Sequence, residues 1–86
     1  MTIKEAVIIA TNYFTELYDG RYTNLALEEV ERSEGGGSWY IKLGYDVKIE
    51  ETLPLPGLTP RTERKYKIFE INIGTEEVVS MKIRKV

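Results

Sequence analysis

The chain contains no cysteine and no histidine. The first absence excludes disulfide staples, thiolate-bound zinc and a thiol nucleophile. The second removes the commonest general base and the commonest transition-metal ligand. Proline occurs only three times, at positions 54, 56 and 60. No apolar run approaches the roughly 20 residues a membrane-spanning helix needs. An excess of one charge is also missing: 12 basic and 14 acidic residues leave a net charge of −2, which argues against a general basic coat for nucleic acid. What remains, 42% hydrophobic and 30% charged over 86 residues, is the composition of one folded domain, 1–86. The apolar patch Ala6 to Ala10 follows Glu5 and has no small-residue cleavage site behind it. It does not read as a signal peptide, and we expect a cytoplasmic protein.

Thr2-Ile3-Lys4-Glu5 has the form of a capping box. Apolar residues then recur at Ile3, Ala6, Val7, Ala10, Tyr13, Phe14 and Leu17, the spacing of one helical face, and Asp19-Gly20 supplies a stop. This pattern predicts a helix over 3–18. Beyond Gly20 the period changes to two. Leu25 and Leu27 alternate and Val30 falls out of phase, a slip that calls for a bulge near Glu28-Glu29 or for a strand whose second half faces a different environment. Ser33 to Ser38, with three successive glycines, reads as a hairpin turn, because the Lys-Ser/Thr and helix of a phosphate loop do not follow it. Trp39, Ile41, Leu43, Tyr45, Val47 and Ile49 alternate with polar residues in a long strand. A further strand runs from Lys65 to Ile73, with Phe69, Ile71 and Ile73 on one face. After a turn at Gly74-Thr75-Glu76, Val79, Met81 and Ile83 alternate in a last strand. The fold class expected is α+β, one N-terminal helix packed on a four-stranded antiparallel meander, α-β-β-β-β. Its core is expected to hold Trp39, Ile41, Leu43, Phe69, Ile71, Ile73, Val79, Met81 and Ile83.

That order of elements resembles the cystatin-like architecture. Residues 65–83, KYKIFEINIGTEEVVSMKI, resemble the closing hairpin of PepSY-type domains, although here glycine precedes threonine in Gly74-Thr75-Glu76-Glu77-Val78. Cystatin inhibitors use a Gln-x-Val-x-Gly hairpin. The corresponding turn, Ser33 to Ser38, has neither glutamine nor an apolar wedge, so the resemblance implies the fold and not protease inhibition. PepSY-type domains are regarded as peptidase-regulating or ligand-sensing modules, and the likeness brings no catalytic residues with it.

Two surfaces stand out as candidate partner-binding sites. The connection Glu50 to Glu63 is 14 residues long, where a hairpin link usually takes two to five. Its Leu53, Leu55, Pro56 and Leu58 combine apolar contact area with a stiffened backbone. Capping one end of the core would use the same leucines. The second surface is the outer sheet face, where Tyr40, Lys42, Tyr66, Lys82 and Arg84 interleave aromatic and basic side chains. Residues 1–51 carry a net −5 and residues 52–86 a net +3, with Arg61, Arg64, Lys65 and Lys67 clustered at the start of the third strand. Glu70 and Asp46 share that face, and pairing of Glu70 with Lys82 or Lys42 accounts for the same charges. The acidic run Glu28 to Glu34 lacks calcium-loop spacing and reads as a charged edge strand. No pair of carboxylates is singled out for acid–base work. We therefore expect a non-catalytic binding or regulatory module without cofactor or metal. It would engage a protein or peptide, or a second copy as a homodimer, and no membrane. Single-stranded nucleic acid on the aromatic and basic face is the alternative partner.

Overall fold

A computed structural model of the chain describes residues 1–49 and 61–84. Helix α1 spans Ile3–Tyr18 and opens as its sequence dictates. The Glu5 N–H donates to Thr2 Oγ1 (3.2 Å) and the Thr2 N–H donates to Glu5 Oε1 (3.0 Å). That second bond holds the Glu5 carboxyl below the usual carboxylate range. The left-handed stop expected at Gly20 (φ 79°) begins one residue earlier, at Asp19 (φ 41°).

Four strands follow in antiparallel meander order β1-β2-β3-β4: β1 Thr23–Arg32, β2 Ser38–Ile49, β3 Arg61–Asn72 and β4 Val78–Ile83. The bulge expected near Glu28 is present. Leu27 faces Leu43, Val30 faces Ile41, and the register shifts between Leu27 and Glu29. The extra residue is what returns Val30 to the face of Leu27. Strand β3 begins earlier than the alternation from Lys65 predicts. Its ladder with β2 continues to Ile49↔Arg61, so residues 61–63, read above as connection, are strand. The loop candidates Leu53, Leu55, Pro56 and Leu58 lie outside the described residues.

Ala6, Ala10 and Phe14 of α1 pack on Ile41, Leu43 and Tyr45 of β2 and on Phe69 and Ile71 of β3. Phe14 is the hub, with ring centroids 4.4 Å from Tyr18, 4.6 Å from Tyr45 and 4.9 Å from Tyr22. The buried row Ala6-Ala10-Phe14 is a single i, i+4 ridge, and two alanines in it let the helix backbone approach the sheet closely. A sheet covers only such a ridge. Ile3, Tyr13 and Leu17, expected in the buried stripe, are consequently exposed.

Two expected core residues, Val79 and Ile83, are exposed, and Trp39, Ile73 and Met81 are only half-buried. Glu70 faces Ser80 while Ile71 faces Val78, so Val79 is the extra residue of a bulge. Val78 takes the inward place, and Val79 is 56% exposed. Ile83 keeps the inward phase opposite Lys67 but is 72% exposed. Trp39 is half-buried, and its Nε1 is shut off from solvent without a hydrogen-bond acceptor. No helix among the described residues is long and apolar enough to cross a membrane.

Candidate functional site

Directly paired residues of an antiparallel ladder point to the same face. Lys42 faces Ile68, which faces Lys82, and Tyr40 faces Glu70. Tyr66 lies opposite Gly44, and the Arg84 N–H donates to the Tyr66 carbonyl (3.0 Å). The sheet thus gathers Tyr40, Lys42, Tyr66, Lys82 and Arg84 on the side away from α1, as the alternation predicts.

The electrostatics of that face are largely internal. Lys42 Nζ stands 4.9 Å from the Tyr66 ring centroid and 3.8 Å from Glu29 Oε1, and its side chain is only 12% exposed. Glu29 takes the role that the sequence reading gave to Glu70, whose Oε2 instead accepts from Ser38 Oγ at 3.0 Å. Arg64, which the sequence reading left out of the site, is the centre of a network. It donates to Glu28 Oε1 (2.8 Å), to Asp46 Oδ1 (3.3 Å) and to the Asn24 carbonyl (2.7 Å). Asn24, held at φ 53°, donates through Nδ2 to Asp46 Oδ2 (2.8 Å). The Asn24 amide first, and then Arg64, hold the Asp46 carboxyl below the usual carboxylate range. Glu28 and Arg64 come from strands on either side of β2 and meet over Gly44. A Cβ there would lie 2.7 Å from Glu28 Oε1 and 2.8 Å from Arg64 Nη2. Lys82 and Arg84 have no carboxylate partner within 4.0 Å among the described residues. Nor do three Asp or Glu side chains converge there as cation ligands.

A second surface follows from the two displaced apolar residues. Strand β4 is an edge strand. A groove between α1 and the start of β4 is lined by Ile9, Tyr13 and Val78, while Tyr18 and Ile83 border a common cavity further along. Helix and strand therefore run side by side in the same direction. Along this seam Tyr13 is 40% and Ile83 72% exposed, and Leu17, four residues after Tyr13 and so on the same side of α1, is 45% exposed. Apolar side chains in such a row, beside an edge with unpaired backbone groups, suit an extended segment of another chain.

The cavity beyond the end of α1 measures about 610 Å³. Tyr18, Tyr45, Val47 and Ile83 supply its apolar lining, and Lys65 and Lys67 border it together with Glu63, Arg64, Tyr66 and Arg84, so the cavity reaches the sheet rim where residues of both faces meet. Burial, and then the Tyr18 hydroxyl, push the Tyr45 phenol above the ordinary tyrosine range. Both lysines occupy core-phase positions, Lys65 opposite Tyr45 and Lys67 opposite Leu43. The sequence reading counted them as part of a basic cluster and missed their face. The signal was present: the alternation Ile71, Phe69 extends backward to Lys67 and Lys65. Comparison with family models, with curated proteins and with solved structures finds no match to this chain.

Proposed function

We propose that the domain is a non-catalytic binding or regulatory module that takes an extended protein segment along the seam between α1 and β4. The observation carrying this reading is the exposure of Val79 and Ile83, 56% and 72%, on an edge strand whose start shares a groove with Tyr13 of α1. Backbone pairing along the edge supplies affinity, and the apolar row supplies selectivity for alternating apolar side chains. The likeness to cystatin-like and PepSY-type modules agrees with a role without catalysis. The Pro/Leu stretch 50–63 belongs to the same proposal as a second contact, on sequence grounds, as does a cytoplasmic setting.

The test is to pan a display library of short random peptides against the chain, with counter-selection on Val79→Lys/Ile83→Lys. Enriched peptides with alternating apolar residues that the double variant fails to hold support the reading. Peptides retained equally by both, or no enrichment, reject it. Light scattering across a concentration series shows whether a second copy fills the seam, an association that the same variant should abolish. Single-stranded nucleic acid draws less from the geometry, because Lys42 already covers the Tyr66 ring and Arg64 is held by two carboxylates. Low-salt anisotropy with mixed oligonucleotides, followed by a salt series, measures that alternative directly.

A further inference from the structure

We infer that the cavity beyond the C-terminal end of α1 binds a small amphipathic carboxylate, its apolar part against Tyr18, Val47 and Ile83 and its charge at Lys65 and Lys67. This goes beyond the seam proposal and rests on different side chains, apart from Ile83, which borders both.

The argument begins with the phase of β3. On the face turned toward α1, Ile71 and Phe69 are buried, while the next two positions are lysines. A lysine on the core side of a sheet is accommodated only where the covering layer ends and its ammonium reaches water. Helix α1 ends at Tyr18, beside Tyr45, with ring centroids 5.4 Å apart. Beyond that point β2 continues with Val47, and nothing in α1 remains to cover it. The result is a recess of about 610 Å³ with apolar and aromatic surface on the β2 side, Lys65 and Lys67 on the β3 side, and Arg64 and Arg84 at its rim. That volume falls in the range usual for small-molecule sites, which pair apolar walls with a few placed polar groups.

Charge selects the sign of the ligand. The lining holds one carboxylate, Glu63, opposite Val47, against Lys65, Lys67 and Arg84, while Arg64 at the rim is already engaged by Glu28 and Asp46. The negative end of the helix dipole also points this way and would oppose an anion. Arg21 offsets it, donating Nε to the Tyr18 carbonyl and Nη2 to the Leu17 carbonyl, each at 3.1 Å. A neutral amphiphile would leave the lysines unused, and a cationic one would meet them with repulsion.

The experiment titrates the full chain with decanoate, decanol and decyltrimethylammonium, following backbone amide shifts by NMR. Saturable decanoate binding is expected, with shifts centred on Tyr45, Val47, Lys65, Lys67 and Ile83, weaker binding of decanol and weakest of the ammonium. Lys65→Gln/Lys67→Gln should weaken decanoate about tenfold, the loss of a charge-assisted contact, and leave decanol unchanged. Lys82→Gln, on the opposite face, should change neither. Val47→Trp, which fills the recess, should weaken all three ligands. Absence of saturable decanoate binding overturns the inference, as do equal affinities for decanoate and the ammonium, or decanoate affinity unaltered in the lysine double variant. The seam variant Val79→Lys should bind decanoate normally, so failure of one proposal is distinguishable from failure of the other.

Discussion

Phe69 and Trp39 lie on the same face of adjacent strands, yet they contribute to stability in different ways. Phe69 is fully enclosed between Tyr13 and Phe14 and the strand beneath. Phe69→Ala should therefore cost about 3–5 kcal/mol in urea unfolding. Trp39 is half-buried and leaves an indole N–H without an acceptor, a defect worth about 1–3 kcal/mol. Trp39→Phe removes the defect along with some apolar area, and its net effect should stay within about 1 kcal/mol in the same assay. Gly44 offers a third contrast. Its missing Cβ is the space in which Glu28 and Arg64 meet. Gly44→Ala should displace that ion pair without unfolding the sheet, at a cost of up to about 1 kcal/mol. In an Arg64→Met background the same change should be neutral, because a double-mutant cycle isolates the lost pair.

At the scale of elements, the legibility of the sequence tracks the range of the interactions involved. Helix α1, its capping box and the bulge at Glu28 were readable because each depends on residues within one or two turns, or on one break in alternation. Strand β4 was not. Its run Val78-Val79-Ser80-Met81 allows either valine inward, and the choice depends on how β4 meets β3 across the turn. There the Thr75 N–H donates to Asn72 Oδ1 (2.9 Å), the Glu76 N–H to the Asn72 carbonyl (2.8 Å), and Glu76 sits at φ 59°. This tight turn starts β4 at Val78, and the bulge then consumes Val79. Val78→Lys should destabilise the domain measurably in thermal unfolding, whereas Val79→Lys should leave the midpoint nearly unchanged. Equal effects would contradict the bulge.

Across the whole molecule, one polar network spans three strands. Asn24 of β1, Asp46 of β2 and Arg64 of β3 are joined by hydrogen bonds of 2.7–3.3 Å on the face away from the helix. The Asp46 carboxyl lies below its ordinary pKa in the folded chain. A depressed carboxyl contributes stability that is complete above its unfolded pKa and is lost as pH falls through its folded one. Asn24→Gly keeps the left-handed backbone and removes the side chain that lowers Asp46 most. Carbon-detected titration of Asp46 should then show a higher midpoint, and the stability gap between parent and variant should close as the solution is acidified. An unmoved midpoint would show that Arg64 alone sets the shift. The candidate sites show the same limit of local information. Alternation assigned Tyr40, Lys42, Tyr66, Lys82 and Arg84 to one face correctly. That Lys42 is mostly covered, and that Arg64 is engaged by two carboxylates, required knowing which side chains stand across the strands.

The amino-acid order alone determined the α-β-β-β-β succession, the helix over 3–18, the inward phase of β2 and the break in alternation before Val30, because periodicity and capping act between near neighbours in the chain. The tertiary structure alone decided how far the helix covers the sheet. Sixteen residues of α1 at about 1.5 Å each reach less far than the twelve-residue strands β2 and β3 at about 3.3 Å each. That difference in reach leaves Ile83, Lys65 and Lys67 beside an open recess, although their phase is that of the core.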